Sequence, residues 1–521
     1  MKSLLYTTIL VSSWGIVLSS QSIAVPEVKI AVDDKRCIKK VDPGLLGINY
    51  SWVGLQSVCG DGNGAGFDPQ IVKLLNGAKL PLNRVSGTSA NIIRWKDAVG
   101  AYEKRGKQQL AKWWRNGKKL GLGPVEFVKM VQTIDPKAEF TWTVNLHASP
   151  EETADLVEFL TGDGNSNPNG GINWAMKRIE YGIRNPVPVR LWELGNELDG
   201  PDERNKFNSM SVYTDYCRKH IDAIRSVKPD AKIAAHAATF SSLVTYAAFF
   251  GGTWEIWHRY ILKKLGPDID YIAFHSYCNS LPSSRLENDV NTIAKDIRKI
   301  TGSDRIKIYI SEYAWWPKTE ECRPGSKNWK ECWYTTHALV GCLGTADWIV
   351  RMMNSSAVEL AAYHSFTAGP WGMIYKSDYD KSHKRSNRAP LHTTGIWEMY
   401  RLFSEAYNGA VDVLPVKVSG ENTDRSRPEC MFTCAALKKP DELNIIMVNR
   451  DPEAGRMVTL DVAEYYRPVD FKILTADNLL DFNTSKSRPI KVEKRTFQSG
   501  QGIDHIEIPS KSLILLRLKR P

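Results

Sequence analysis

Eight short β-rich runs recur along the first seven-tenths of this chain, at residues 45–50, 80–85, 139–144, 187–193, 232–235, 271–274, 306–311 and 360–363. Several are followed by segments whose apolar residues return at helical spacing, among them 124–132, 149–160, 212–227, 287–300 and 336–353. Alternation of this kind leaves few architectures open. Parallel strands need crossover connections, helices supply them, and eight such units close into a (β/α)8 TIM barrel with all strand C-termini on one face. Helix-start signals agree: Pro124 follows Gly123 at a first helical turn, and Ser149 stands as a cap before Pro150-Glu151-Glu152.

After residue 402 the pattern changes. Runs 411–418, 429–437, 442–449, 457–462, 471–475, 502–508 and 512–518 are short, β-rich and separated by Gly, Pro, Asn and Asp turns, the signature of an all-β sandwich. Residues 28–33 share that character. The expected organisation is a signal peptide at 1–24, an N-terminal strand at 25–38 joining the sandwich, a catalytic barrel at 39–405 and the C-terminal β-sandwich at 406–521.

The signal reading rests on Lys2, a mostly apolar stretch at 4–18 and the small-residue site Ser22-Ile23-Ala24. That stretch is too short and too interrupted by Ser and Thr to span a bilayer, and no other segment approaches the roughly 20 apolar residues that spanning requires. A secreted or periplasmic protein without stable membrane insertion is expected.

With 69 Lys and Arg against 58 Asp and Glu, the formal charge is +11, which suits a polyanionic partner such as a uronate-bearing or sulfated polysaccharide. Positive charge concentrates only at Lys104-Arg105-Gly106-Lys107 and at 381–388, so nucleic acid is not an expected partner; a solvated surface accounts for both patches. Nine cysteines leave at least one unpaired. Export permits disulfides, with Cys322 to Cys332 the first expectation and Cys37 to Cys59 or Cys430 to Cys434 as further pairings. Cys278 and Cys342 read as buried thiols. No Cys/His cluster has zinc spacing and no acidic run resembles a calcium loop, so no metal or cofactor is expected. Asn354 and Asn483 stand in glycosylation sequons.

Two strand ends carry the chemistry. One run ends in Trp192-Glu193-Leu194-Gly195-Asn196-Glu197 and another in Tyr309-Ile310-Ser311-Glu312. The two glutamates stand 115 positions apart, three strand-helix units of about 38 residues each in a barrel of ordinary size. A lone strand-end glutamate is ordinarily a solvated or salt-bridged residue. Two that converge on one face are what glycosidic cleavage needs, one to protonate the leaving oxygen and one to attack or stabilise the sugar.

The segment Leu191 to Glu197 resembles the acid/base segment of glycoside hydrolase clan A, barrel enzymes in which an Asn-Glu pair ends the fourth strand, and within it the α-L-arabinofuranosidases of family 51. The resemblance extends to Arg84-Val85-Ser86-Gly87 with Trp95-Lys96-Asp97, to Glu126-Phe127, to His275-Ser276-Tyr277 and to the terminal β-domain. It implies Glu197 as general acid/base and Glu312 as nucleophile. Asn196 would bond the sugar 2-hydroxyl, Arg84 would keep Glu312 ionised, and Tyr277 would donate to it. His275 would be a hydroxyl ligand or an orienting residue, and one of Trp315 and Trp316 would stack on sugar.

Two departures bear on substrate. Where family 51 carries a glutamate after the first strand, this chain reads Gly47-Ile48-Asn49-Tyr50-Ser51-Trp52, and its Ser86 to Asn91 turn is closer to families 39 and 79, which act on xylosides and glucuronides. The expected function is a retaining hydrolase of plant or algal polysaccharide, most like an α-L-arabinofuranosidase. A β-glucuronidase, β-xylosidase or endo-acting hydrolase of an acidic polysaccharide is the alternative on the same scaffold. A glycan-binding protein with a silent barrel is the non-enzyme alternative.

Overall fold

The structure, a computed structural model, describes residues 25–520 apart from 63, 110–116, 201–202, 204–205, 239–252, 280–282, 317–331, 368, 380–384, 387–388, 421–431, 463–464, 498–502 and 504. The residues read as an export signal lie outside that set, and none of the described helices is long and apolar enough to cross a membrane.

Eight parallel strands close a barrel: in order, Gly47–Ser51, Leu82–Ser86, Glu139–Val144, Val189–Leu194, Ile233–His236, Tyr271–Asn279, Lys307–Trp316 and Val358–His364. The eighth closes on the first, with Ala362 opposite Gly47. The barrel axis is filled by Leu82, Leu191, Ala234, Tyr271, Ala273, Tyr309, Leu360 and Ala362, all buried, and Tyr309 Oη meets Thr141 Oγ1 at 3.0 Å across it. The interior is a packed core and not a pore.

Side chains in a strand alternate between faces, so the residue two positions beyond each axial one also points inward. Two positions beyond Leu82, Leu191, Ala234, Ala273 and Ala362 stand Arg84, Glu193, His236, His275 and His364, and the same step from Gly47 and Thr141 gives Asn49 and Thr143. A polar ring therefore sits directly above the apolar layer, at the strands' C-terminal ends. The seventh strand joins the ring by an irregularity: Phe274 pairs with Ile310, but His275 pairs with Glu312, so Ser311 is the extra residue. Simple alternation from Tyr309 would have turned Ser311 inward. The bulge puts Glu312 there instead, the kind of re-aiming for which bulges are used beside active sites.

Helices cover the outside. Pro124–Ile134 starts with Pro in its first turn, and the Glu126 carboxylate accepts from the Gly123 N–H at 2.9 Å. Pro150–Thr161 is capped by Ser149, whose hydroxyl accepts from the Glu152 N–H.

Residues after the helix Gly395–Tyr407 build two sheets. A seven-stranded sheet includes Phe432–Lys438, Glu442–Asn449, Arg467–Thr475 and Ser512–Lys519; a four-stranded one holds Glu27–Val32 between Val416–Ser419, antiparallel, and Arg456–Val462, parallel. Alternation sorts the larger sheet's side chains. Cys434, Ile445, Met447, Ile514 and Leu516 face a core shared with Val28, Ile30 and Val32 of the smaller sheet. Ala435, Leu437, Ile446, Val448, Leu513 and Leu515 belong to the barrel's own core. The sandwich is thus seated on the helix layer through a continuous apolar interface, and burial of that area fixes it there.

The cysteine expectations need correction. Cys332 is disulfide-bonded, while Cys322 lies outside the described residues. Cys37, Cys59 and Cys434 are free, which rules out the Cys37 to Cys59 and Cys430 to Cys434 pairings. Cys59 is buried in the barrel core whereas Cys37 is exposed beside Asp412 at 3.3 Å, so folding separates them.

Candidate active site

The polar ring is organised around Arg84. Its guanidinium is fully buried and every edge is occupied: Nε donates to Glu193 Oε2 at 2.6 Å, Nη2 to Glu193 Oε1 at 3.0 Å and to Asn196 Oδ1 at 2.9 Å, and Nη1 to Glu312 Oε1 at 2.7 Å. The second, fourth and seventh strands are thereby tied through one side chain. Burial alone would lower the arginine's pKa, but the two carboxylates raise it, so the cation is permanent.

Glu312 receives a second donor, Tyr277 Oη to Oε2 at 2.6 Å. His275 Nδ1 and His364 Nδ1 each lie 3.7 Å from the same oxygen. Burial by itself would raise its pKa, yet the neighbouring imidazoles, the Arg84 guanidinium and the tyrosine hydroxyl hold it well below the usual carboxylate range. Glu312 is an ionised carboxylate in a water-poor pocket.

Glu197 is differently placed. It follows Gly195 and Asn196 beyond the fourth strand, its side chain is 30% exposed, and its Oε1 lies 2.9 Å from His275 Nδ1. The chain takes a left-handed turn to bring it there: Gly195 has φ 81° and Glu197 itself φ 52°. A Cβ on Gly195 would meet Leu198 Cδ1 at 2.2 Å, so glycine is required at that position. A glutamate held in this region carries backbone strain, which the surrounding contacts must over-determine.

Those contacts come from Asn91. Its Oδ1 accepts from the Asn196 N–H at 2.9 Å and its Nδ2 donates to the Asn196 carbonyl at 2.6 Å. Asn91 Nδ2 also reaches Glu203 Oε1 at 3.2 Å, and Glu203 Oε2 meets His147 Nε2 at 2.7 Å. With Asn196 Oδ1 engaged by Arg84, its amide nitrogen is left as the group to offer outward.

His275 stands between the two glutamates. Burial lowers its pKa, but Glu312 and Glu197 together raise it above the ordinary value. His364 is shifted down, by burial first, and is contacted at Nδ1 by Asn49 Nδ2 at 2.6 Å. Tyr277, His364 and the half-buried Trp371 form an aromatic wall, with Trp371 5.7 Å from the tyrosine ring and 4.9 Å from the imidazole.

Of the residues singled out in the sequence, Arg84, Asn196, Glu197, His275, Tyr277 and Glu312 converge in this cluster. Trp315 does not. It is 8% exposed and lies on the outer face of the seventh strand, where a Cβ on Gly344 of the helix Leu339–Asn354 would meet its ring at 2.3 Å; it packs the helix layer, so it is not the member of the Trp315 and Trp316 pair that is placed to stack on sugar. The Trp316 side chain lies outside the described set. Sequence reasoning assigned no role to Glu193, His236, Asn91 or His364. Glu193 had a readable signal: it alternates with Trp192 and so shares a strand face with Leu191, which fills the barrel axis.

The cluster has metal-ligand chemistry in it. One atom each of Glu197, His275 and Glu312 lie within 4.8 Å of one another, as do one each of Glu193, His236 and His275. Glu193 and Glu312, one from each group, already share the Arg84 guanidinium.

Residues 79–280 match a family model described as the alpha-L-arabinofuranosidase 1 domain. That span carries Arg84, Asn196, Glu197, His275 and Tyr277 and stops short of Glu312. An intracellular exo-alpha-(1->5)-L-arabinofuranosidase of Halalkalibacterium halodurans is 27% identical over 219 residues, 42% of this chain and 40% of that one, so the chain spans less than half the length of that relative. An exo-alpha-(1->6)-L-arabinofuranosidase of Bifidobacterium longum is 24% identical over 459 residues, 80% of this chain and 81% of that one. The crystal structure of the GH51 arabinofuranosidase from Xanthomonas axonopodis pv. citri shares the fold with a TM-score of 0.75, at 19% identity over 95% of this chain and 100% of that one. In its matched domain and in its fold, the chain is similar to the family 51 arabinofuranosidases of glycoside hydrolase clan A.

Proposed function

We propose that this protein is an exported glycoside hydrolase that cleaves arabinose-containing polysaccharide or oligosaccharide by double displacement with retention. The observation that carries the reading is the separation of the two candidate carboxylates. One oxygen of Glu197 and one of Glu312 lie within 4.8 Å of each other. Retaining pairs stand about 5–5.5 Å apart and inverting pairs about 6.5–9.5 Å, because the latter must admit a water.

The roles follow from the surroundings. Glu312, held ionised by Arg84 and Tyr277, attacks the anomeric carbon while the more exposed Glu197 gives its proton to the departing oxygen. The glycosyl ester on Glu312 then breaks as water, deprotonated by Glu197, attacks the same carbon. The Asn196 amide nitrogen is placed to bond a sugar hydroxyl, and Trp371 with Tyr277 offers a face for the ring.

Export is supported by the N-terminal pattern and by disulfide-bonded Cys332, since disulfides persist in oxidising compartments. Asn49 favours a second reading of the glycone. It stands in the Gly47 to Trp52 segment, which has no glutamate, and is turned onto His364; with the +11 charge, this keeps a β-xyloside, a β-glucuronide or an acidic polysaccharide open as substrate.

Turnover of nitrophenyl α-L-arabinofuranoside, β-D-xyloside, β-D-glucuronide and β-D-galactoside by wild type and by Glu312→Gln tests the proposal. Cleavage of one glycoside that the variant abolishes is expected. Cleavage that survives in the variant defeats it, and silence of wild type across the panel and on polymeric arabinan turns the reading to a glycan-binding protein.

A further inference from the structure

Glu193 is the third carboxylate of the cluster, and the two-step mechanism gives it no task. It is as buried as Arg84 and turns both oxygens on that guanidinium, Oε2 to Nε and Oε1 to Nη2. Its remaining contacts hold it in place: Thr143 Oγ1 donates to Oε2 at 2.9 Å, and His236 Nε2 lies 3.0 Å from Oε1. A guanidinium is planar, so a carboxylate gripping Nε and Nη2 fixes its plane and hence the direction of Nη1. Nη1 is the donor on Glu312.

The same contact divides the charge. Arg84 with Glu312 alone would be a neutral buried pair, with the whole positive charge committed to the nucleophile; such a carboxylate is readily ionised but a weak base. Two carboxylates on one guanidinium leave the unit with a net negative charge, and Glu312 with only a share of the cation.

Resting on the retaining-hydrolase reading, we infer that Glu193 is a positioning residue for the nucleophile: acting through Arg84, it aims Nη1 at Glu312 Oε1 and draws part of the guanidinium's charge away from it. Glu193 does not touch the sugar. Its neighbours Thr143 and His236 belong to the device only in keeping its two oxygens turned toward the second strand.

Other groups also face Glu312: Arg84 from the second strand, Glu197 beyond the fourth, His275 and Tyr277 from the sixth, His364 from the eighth and Tyr309 on its own strand. Of these groups, Arg84 is the one that Glu193 hydrogen-bonds. A movement of the acid limb of kcat/KM, which reports the free enzyme's essential base, is then assignable to the altered charge on Arg84.

The experiment is the pH dependence of kcat/KM for wild type, Glu193→Gln and Glu193→Asp on the glycoside that wild type cleaves, with thermal melting alongside. Glu193→Gln removes the charge, and its acid limb should fall by on the order of one pH unit while the plateau drops at least about tenfold. Glu193→Asp keeps the charge on a shorter arm, so its limb should stay while its plateau drops. Equal loss in both variants with unmoved limbs overturns the inference and leaves Glu193 a packing residue. If Glu193→Gln does not fold, Glu193→Asp still decides the aiming role, which an unchanged plateau overturns. Wild-type silence sinks the hydrolase reading and this inference together, whereas wild-type turnover with an unaltered Glu193→Gln profile sinks the inference alone.

Discussion

Arg84 Nη1 donates to Glu312 Oε1 at 2.7 Å, from a guanidinium with no exposed surface to a carboxylate 5% exposed. In bulk water such a pair contributes little. Here removal of one partner leaves charge stranded in the barrel, at a cost of about 3–5 kcal/mol. Arg84→Ala should therefore lose hydrolysis and melt lower, and Arg84→Lys should rescue stability better than rate, because an ammonium cannot serve three partners in a plane.

The same ion pairs set the acid stability. Glu193 and Glu312 are both held below the ordinary carboxylate range, by the Arg84 guanidinium and the adjacent imidazoles acting against burial. For a depressed carboxylate, the stabilisation is fully present above the unfolded value of about 4.3 and is lost as pH falls through the folded one. Tryptophan fluorescence followed from pH 7 downward should show wild type unfolding in the acid region, with Arg84→Ala unfolding at distinctly higher pH. Coincident transitions would contradict the arrangement.

Tyr277 donates to the other oxygen of Glu312 at 2.6 Å. Tyr277→Phe keeps the ring against Trp371 and removes only the hydroxyl. Loss of a bond to the charged form raises the carboxylate's pKa, so the acid limb of kcat/KM should move up, opposite to the direction expected for Glu193→Gln. The rate should fall about 10- to 100-fold, as for a hydrogen bond to a charged group.

Asn91 clamps the backbone of Asn196 through both its N–H and its carbonyl. Asn91→Ala leaves both buried groups unpaired, which costs about 1–3 kcal/mol each, and frees the strained turn that presents Glu197. Denaturant unfolding should show the loss, and kcat should fall although Asn91 is not expected to touch substrate. Asn91→Asp, which keeps the acceptor and loses the donor, should lie between the two.

Much of this was legible in the sequence, for reasons particular to each residue. The barrel strands announced themselves because a strand buried on both faces is a short apolar run, and the Gly195-Asn196-Glu197 string is local, so its strand-end position could be read. Glu312 is legible as a strand-end glutamate, but its orientation is not: the bulge at Ser311 comes from pairing with the sixth strand, and alternation alone would have turned the side chain outward. Trp315 shows the converse. Its closeness to Glu312 in sequence suggested the cleft, yet the strand continues to Trp316, and the same alternation sends Trp315 to the helix layer. Asn91 and His364 are brought in by turns and strands far apart in sequence, which no local pattern records.

The sequons at Asn354 and Asn483 illustrate how folding overrides a motif. Asn354 Nδ2 donates to the Cys434 carbonyl at 2.9 Å. Asn483 is 1% exposed and exchanges two hydrogen bonds with Ile490. Intact mass of protein secreted from a glycosylating host should show neither asparagine modified in the folded protein. A glycan on Asn483 would mean that this corner folds after modification or differs from the structure.

The most direct test of the central claim is to trap the ester. Glu197→Ala, incubated with a nitrophenyl glycoside that wild type cleaves, retains an activated leaving group for the first step and lacks the base for the second, so the glycosyl-enzyme should accumulate. Digestion and mass spectrometry should place one glycosyl residue on Glu312, and added azide should release a glycosyl azide of unchanged anomeric configuration. An adduct on another residue, or a first-formed product of inverted configuration, would contradict the assignment of Glu197 and Glu312 as a retaining pair.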